Sequence, residues 1–136
     1  MRKKIEKKKK KKTTAKLKKE VWTVFSKWIR TRDNYKCFTC GTKYPEEEGW
    51  KMHAGHFITR MHNSTLFDER NVHAQCYACN IIKRGNAGIY AARLMEKYGD
   101  NIIIELVKKS QEIKQFMPAE LEEMKIRYQN LSTEKH

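Results

Sequence analysis

The pattern of apolar and polar residues predicts an amphipathic helix at the beginning of the folded part of the chain. From about Glu20 to Arg32, apolar residues recur at helical spacing. They are Val21, Trp22, Phe25, Trp28 and Ile29. We expect this aromatic stripe to face the core rather than to stack on bases. Asp33-Asn34-Tyr35 then indicates a turn.

A β-hairpin is predicted in the middle of the chain. Trp50 to Phe57 is typical of a short strand interrupted by Ala54-Gly55, and Leu66-Phe67 is a candidate for the second strand. Asp68 to Asn71 indicates a turn. A helix beginning near Cys76 or Ala78 should follow the hairpin.

Helical spacing of apolar residues also predicts that most of the remainder of the chain is helical. Gly85-Asn86 should break the helix after the hairpin, and three further helices are expected over Gly88 to Tyr98, Asn101 to about Gln111 and Pro118 to about Leu131. Gly99 is a candidate C-cap and Asp100 a candidate N-cap. The last helix carries a narrow apolar stripe, namely Leu121, Met124, Tyr128 and Leu131. This stripe packs either on the domain or on a second copy of the chain, so a homodimer is one interpretation.

The charge distribution is uneven. The 136 residues carry a net charge of +14, and residues 1–20 hold twelve Lys or Arg against two Glu. Such a basic arm is expected to be disordered when free and to attract a polyanion, most often nucleic acid. A solubilising tail or loose association with RNA is the alternative. Because no apolar run is long enough to span a bilayer and no secretory signal is evident, we expect a soluble cytoplasmic protein without a membrane partner.

The four cysteines form two C-x-x-C pairs, Cys37/Cys40 and Cys76/Cys79. Each such knuckle presents two thiolates, and Zn²⁺ prefers four tetrahedral ligands. We therefore predict one structural zinc ion held by all four cysteines. The alternative is a thioredoxin-like redox pair, which requires a βαβ setting that is missing around the first pair.

The residues between the knuckles suggest catalysis. Hydrolysis of a phosphodiester needs a base for the water and a cation that stabilises the developing charge. A neutral imidazole suits the first role, particularly when a fixed acceptor such as an asparagine carbonyl binds its other nitrogen. The candidates occur in the order His56, Asn71, Asn80.

These residues resemble the HNH, or ββα-metal, nuclease superfamily in its subtype with two zinc knuckles. Asn71-Val-His-Ala-Gln-Cys76 reproduces that family's N-x4-C spacing, and Cys79-Asn80 its final position. More narrowly, A-G-H-F, R-N-V-H-A-Q-C-x-x-C-N and the following G-N resemble the phage lambda Rap (NinG) recombination nuclease family. The resemblance implies a metal-dependent DNA endonuclease acting on branched recombination intermediates, in the host cytoplasm if it is phage-encoded.

The resemblance also assigns roles to individual residues. His56 would be the general base, Asn71 the orienting residue and Asn80 a ligand of the catalytic metal. The residue before the base is usually an acidic or histidine ligand, but here it is Gly55. His53 is the expected substitute, provided that the glycine lets the strand bend so that both rings face one site. The amide ligand Asn80 favours Mg²⁺ or Mn²⁺ at this site.

Several residues keep two interpretations. His73 either contacts the metal or a phosphate or is a buried structural histidine, and His62 is expected at the surface. Arg60, Lys83 and Arg84 are candidate nucleic-acid-binding residues that either grip phosphates or are solvated charges. Recognition of DNA shape or backbone is expected, because no base-reading helix is evident.

The sequence therefore predicts an α+β protein with three segments. A disordered Lys-rich arm (1–19) precedes a zinc-stapled HNH nuclease domain (20–99), which an N-terminal helix and C-terminal helices flank. A helical extension (100–136) follows. The competing hypothesis is a non-catalytic zinc-finger protein that binds nucleic acid.

Overall fold

The computed structural model describes residues 11–133, which form a mixed α+β fold around a two-stranded sheet. In chain order, the named elements are α1 (Thr14–Arg32), a 3₁₀ segment (Glu46–Lys51), β1 (His53–His56), α2 (Asn63–Leu66), β2 (Val72–Gln75), a π-helical turn (Ala78–Ile82), α3 (Ala87–Tyr98), α4 (Ile102–Ser110) and α5 (Pro118–Thr133). The first ten residues of the predicted arm lie outside the described part of the chain.

Helix α1 begins six residues earlier than the sequence pattern predicted. The Thr13 hydroxyl caps it by accepting from the Lys16 N–H at 3.2 Å. Leu17 is buried one turn before Val21 and extends the apolar stripe toward the N-terminus. Thr14 to Lys19 are therefore helical, and the predicted boundary of a disordered arm at residue 19 is wrong for these six residues.

The strands β1 and β2 pair antiparallel, with His53 opposite Gln75 and His56 opposite Val72. The prediction of a second strand at Leu66-Phe67 is wrong. Leu66 ends the short helix α2, and its side chain and that of Phe67 are buried in the core against α1. The actual second strand is buried at all four positions, so it lacks the alternation that identifies a strand with one solvated face.

The segment after β2 is less helical than expected. A single π-helical turn begins within the second knuckle and includes Cys79. The predicted break at Gly85-Asn86 is confirmed, since both residues have positive φ before α3 begins. Gly99 ends α3 with φ +98°, a conformation that favours glycine. Asn101 rather than Asp100 is the N-cap residue of α4, and it makes no side-chain capping bond.

Helix α5 packs along α1 rather than standing apart. Its Tyr128 ring meets Phe25 edge-on with ring centroids 4.8 Å apart, and Leu121 is fully buried in the same cluster. Met124 and Leu131 pack against this cluster, so the stripe of the last helix is used within the chain. Helix α5 is thus part of the core. Over residues 11–133, no helix is both long and apolar enough to cross a membrane.

Candidate functional site

The four cysteines converge on one point. The Sγ atoms of Cys37, Cys40, Cys76 and Cys79 all lie within 4.8 Å of one another. In the first knuckle, Gly41 has φ +81° and its N–H donates to the Cys37 carbonyl, which closes the turn. In the second, the Asn80 N–H donates to the Cys76 carbonyl at 2.9 Å. The convergence of both pairs fits a closed metal site and not a single redox pair.

The electrostatics of these thiols explain why a cation is needed. Burial raises the pKa of Cys37, but hydrogen bonds from Cys40 and Thr39 outweigh it and lower that pKa to about 6. Burial raises the pKa of Cys76 to about 12, and the neighbouring Cys40 thiol acts in the same direction. Four thiolates at this spacing would repel each other, whereas Zn²⁺ binds deprotonated cysteine and neutralises the cluster. The donor set therefore fits the predicted zinc ion.

His56, the predicted base, is held between a backbone carbonyl and an aromatic ring. Its Nε2 donates to the Leu66 carbonyl at 3.0 Å, which leaves Nδ1 as the nitrogen with a free lone pair. Its ring stacks on Trp22 of α1, with centroids 4.8 Å apart. Burial, together with the positive charge of Arg60, lowers the pKa of His56 to about 4, although the hydrogen bond to the Leu66 carbonyl acts in the opposite direction. The imidazole is consequently neutral at physiological pH.

Asn71 does not bind His56 directly. Its Oδ1 accepts from the Ile58 N–H at 2.7 Å, and its Nδ2 donates to the carbonyls of Ile58 and Thr65. The expected contact between the Asn71 carbonyl and His56 is therefore wrong, because the Leu66 carbonyl accepts from His56 instead. Asn71 is fully buried and fixes both ends of the loop that presents this carbonyl. Asn71 is thus connected to His56 only through the backbone of this loop.

His53 lies on the other face of β1. Residues three apart in a strand point to opposite faces, and β1 stays paired through all four residues. His53 Nδ1 accepts from Asn80 Nδ2 at 3.0 Å, and its ring meets Tyr77 edge-on. The bend that would have turned both histidine rings to one face is absent. The structure does bring His53 and Asn80 together, as the sequence predicted for the second half of the site.

The space beside Gly55 is occupied by two amide side chains. A Cβ at this position would collide with Gln75 Oε1 and stand 3.0 Å from Asn80 Oδ1. The backbone carbonyl of Gly55 accepts from the Tyr90 hydroxyl at 2.7 Å. A side chain at this position would therefore need the Gln75 amide to move, because the ends of the Gln75 and Asn80 side chains fill the space beside Gly55.

The other two histidines within the described residues have structural contacts. His73 is fully buried, stacks on Phe38, donates from Nδ1 to the Tyr90 hydroxyl at 3.1 Å and accepts from the Tyr98 hydroxyl at 2.9 Å. Of its two interpretations, the buried structural histidine fits these contacts. His62 donates to the Ser110 carbonyl and so ties the loop after β1 to the end of α4.

The three predicted phosphate contacts are exposed side chains. Arg60 lies over the Trp22 ring, 5.3 Å from its centroid, and is therefore beside His56. Lys83 and Arg84 follow the π-helical turn, close in sequence to Asn80. A separate surface cleft, lined in part by Lys36, Arg93 and Lys97, contains none of the catalytic candidates.

Sequence reasoning missed three contributors to the site. Trp22 was assigned to the core stripe, and its position on a helix gave no sign that it stacks on His56. The Leu66 carbonyl is a backbone group, for which no sequence signal exists. Gln75 is a polar residue directly before Cys76, but it follows the polar residues Asn71 and His73 and did not stand out from them in the sequence.

Comparison with known proteins identifies relatives of this chain. The family model described as "Bacteriophage Lambda NinG protein" matches residues 1–135. Over 90 residues, or 65% of the chain, it is 37% identical to protein ninG of Salmonella phage P22, 36% to that of Escherichia phage 933W and 34% to that of Escherichia phage lambda. The matched region spans 42–43% of those relatives. No solved structure matches significantly. Because this family model covers nearly the whole length of the chain, the chain belongs to the phage lambda NinG protein family.

Proposed function

We propose that this chain is a metal-dependent DNA endonuclease of the HNH type, which hydrolyses phosphodiester bonds on a zinc-stapled hairpin. The observation that carries the proposal is the state of His56. It is a neutral imidazole whose Nε2 is fixed by the Leu66 carbonyl and whose Nδ1 is unpartnered within the described chain. Membership of this chain in the ββα-metal superfamily is part of the same proposal.

In this mechanism His56 Nδ1 accepts the proton of the attacking water. The Leu66 carbonyl holds the ring in one tautomer, and Trp22 supports its face. A pKa of about 4 makes an isolated imidazole a weak base. An anionic phosphate beside the ring would raise that pKa, because negative charge stabilises the imidazolium form.

The cation is proposed on the face of the hairpin that carries His53 and Asn80. A divalent ion such as Mg²⁺ or Mn²⁺ would stabilise negative charge on the phosphate and on the leaving oxygen. Asn80 fits this role because its Oδ1 is directed at the space beside Gly55. Gly55 and His56 are consecutive, so a phosphodiester crossing the end of β1 would reach both faces.

DNA is the proposed substrate because the chain is strongly basic. Its net charge is +14, and Arg60, Lys83 and Arg84 are exposed near the two halves of the site. Contacts of this kind bind the backbone without reading sequence. Selective action on branched DNA in phage recombination follows from the family likeness.

The test is cleavage of supercoiled plasmid and of branched DNA by the zinc-loaded chain, with Mg²⁺ or with EDTA. Wild type should nick DNA only with the divalent ion, and His56→Ala should lose nicking while it keeps zinc and DNA binding. His136→Ala, which removes a histidine far along the chain, is the matched control. Equal nicking by wild type and His56→Ala would overturn the assignment.

The second candidate function is a zinc-finger protein that binds nucleic acid without cleaving it. The absence of a ligand side chain at Gly55 favours this alternative. It predicts that wild type binds DNA at nanomolar to micromolar concentration but releases no nicked product at any divalent metal concentration. His56→Ala would then bind as wild type does.

A further inference from the structure

The Gln75 side chain has one orphaned atom. Gln75 is fully buried, and its Nε2 donates to the Gly85 carbonyl at 2.9 Å and to the Thr39 hydroxyl at 3.3 Å. Its Oε1 is also buried and has no hydrogen-bond partner among residues 11–133. A buried amide oxygen without a partner is destabilising, and most such atoms in folded proteins are satisfied by a protein group, a water or an ion.

This oxygen points into the space where Gly55 has no side chain. A Cβ at Gly55 would collide with Gln75 Oε1 and lie 3.0 Å from Asn80 Oδ1. Because Asn80 Nδ2 donates to His53 Nδ1, the amide oxygen of Asn80 is the atom turned toward Gly55. Two amide oxygens from different elements, β2 and the π-helical turn, are thus directed at one point.

Gln75 Oε1 lacks a donor, and a cation held between it and Asn80 Oδ1 would satisfy it. Carbonyl oxygens of Asn and Gln are ligands of hard divalent cations. We propose that Gln75 Oε1 and Asn80 Oδ1 together bind the divalent cation, and that Gln75 supplies the ligand that the strand position Gly55 lacks. His53 is then a positioning residue that orients Asn80.

The inference rests on the proposed function, because it assigns ligands to the cation which that function requires. It also has a consequence for the affinity of the site. Neither amide carries a negative charge, whereas Mg²⁺ sites commonly use one or two carboxylates together with substrate phosphates. The protein alone therefore binds the cation weakly, and a DNA phosphate contributes the missing charge. Cation and DNA should each raise the affinity for the other by the same factor.

The experiment titrates the zinc-loaded, full-length chain with Mn²⁺ and follows free Mn²⁺ by electron paramagnetic resonance, without DNA. Gln75→Leu should weaken Mn²⁺ binding by about tenfold or more, since even the loss of groups that support ligands has effects of that order. Gln75→Glu should strengthen binding by about tenfold, because it places a carboxylate at the same point. Gln129→Leu and Gln129→Glu, made at an exposed position of α5, are the matched controls and should leave binding unchanged.

A ligand swap guards against variants that fail to fold. In Gly55→Asp/Gln75→Ala the new carboxylate enters the same space from β1, and Mn²⁺ binding should return to at least the wild-type level. Gly55→Ala/Gln75→Ala should not bind. Zinc content and the thermal transition of each variant report folding independently of Mn²⁺.

The alternative is a purely structural contact, in which the Asn80 amide donates to Gln75 Oε1. In that case Gln75→Leu and Gln129→Leu would bind Mn²⁺ equally, and the proposal would be overturned. Failure of Gln75→Glu to exceed wild type, in a variant whose zinc content and thermal transition match those of wild type, would overturn it as well. Mn²⁺ binding that depends on Gln75 without any DNA cleavage would refute the endonuclease and leave the cation site standing. Cleavage that needs His56 but is unchanged in Gln75→Leu would refute the cation site and leave the endonuclease standing.

Discussion

The cluster of four cysteines (Cys37, Cys40, Cys76 and Cys79) and the hairpin site (His53, His56 and Asn80) obtain their geometry in different ways. In the cluster, each C-x-x-C knuckle places two ligands through local turns, and only one long-range contact, between the knuckles, is needed. In the hairpin site, the ring of His56 depends on Trp22 from α1 and on the Leu66 carbonyl from the following loop. The hairpin site therefore depends on the packing of the whole chain. Mutation of a cluster cysteine should therefore unfold the chain. Mutation around the hairpin site should displace side chains such as His56 while the chain stays folded.

The largest expected effect is at the cluster. Cys76→Ser removes a buried zinc ligand, and structural zinc contributes about 10 kcal/mol or more to the folding of small domains. We expect the variant to lose zinc and most of its helical circular dichroism. Chelation of zinc from wild type should give the same spectrum, whereas His56→Ala should keep zinc and a cooperative transition. A folded, zinc-free Cys76→Ser protein would contradict the predicted role of the cluster.

Asn71→Leu should have the next largest effect. Its side chain makes three hydrogen bonds that fix the loop between β1 and β2, and their loss leaves both the N–H and the carbonyl of Ile58 without these partners. We expect a loss of about 3 kcal/mol in the free energy of unfolding by urea denaturation, with zinc retained. Asn130→Leu on α5, where the side chain is exposed, is the control. Equal stability of the two variants would show that the loop is held by other contacts.

Gly55→Ala tests the close approach at the hairpin. The added methyl group collides with Gln75 Oε1, so we expect a loss of about 1 to 3 kcal/mol. Adding Gln75→Ala should restore part of this loss by removing the colliding atom. Gly88→Ala in α3 is the control, because nothing lies within 4 Å of its added Cβ, and a helical alanine stabilises by about 0.5 to 1 kcal/mol. Additive effects of Gly55→Ala and Gln75→Ala would contradict the contact.

His56 should also make the stability of the chain depend on pH, without any mutation at neutral pH. Its pKa is about 4 in the folded chain and about 6.5 when unfolded, so the unfolded state binds more protons between these values. This contribution to stability is fully present above pH 6.5 and is lost as the pH falls toward 4. Between pH 6.5 and 4, the melting temperature of wild type should therefore fall more than that of His56→Gln. Parallel curves would mean that His56 is not buried as described.

Much of the candidate site could be predicted from sequence, but its connections could not. Both knuckles, the break at Gly85-Asn86 and the last helix follow from local rules of spacing and turn chemistry. The second strand could not be found by alternation, because Val72–Gln75 is covered on both faces. The partner of His56 could not be found either, because it is a main-chain carbonyl brought into place by the loop that Asn71 fixes.

The sequence by itself determined which atoms are available: four thiols at zinc spacing, an imidazole before the hairpin turn and amides around the second knuckle. These follow from residue type and from distances along the chain. Only the tertiary structure decided which atoms meet. Strand pairing put His53 and His56 on opposite faces of β1, and packing of α1 placed Trp22 against the His56 ring. The sequence shows only that position 55 has no side chain. In the structure, Gln75 and Asn80 direct their oxygens at the space that such a side chain would fill.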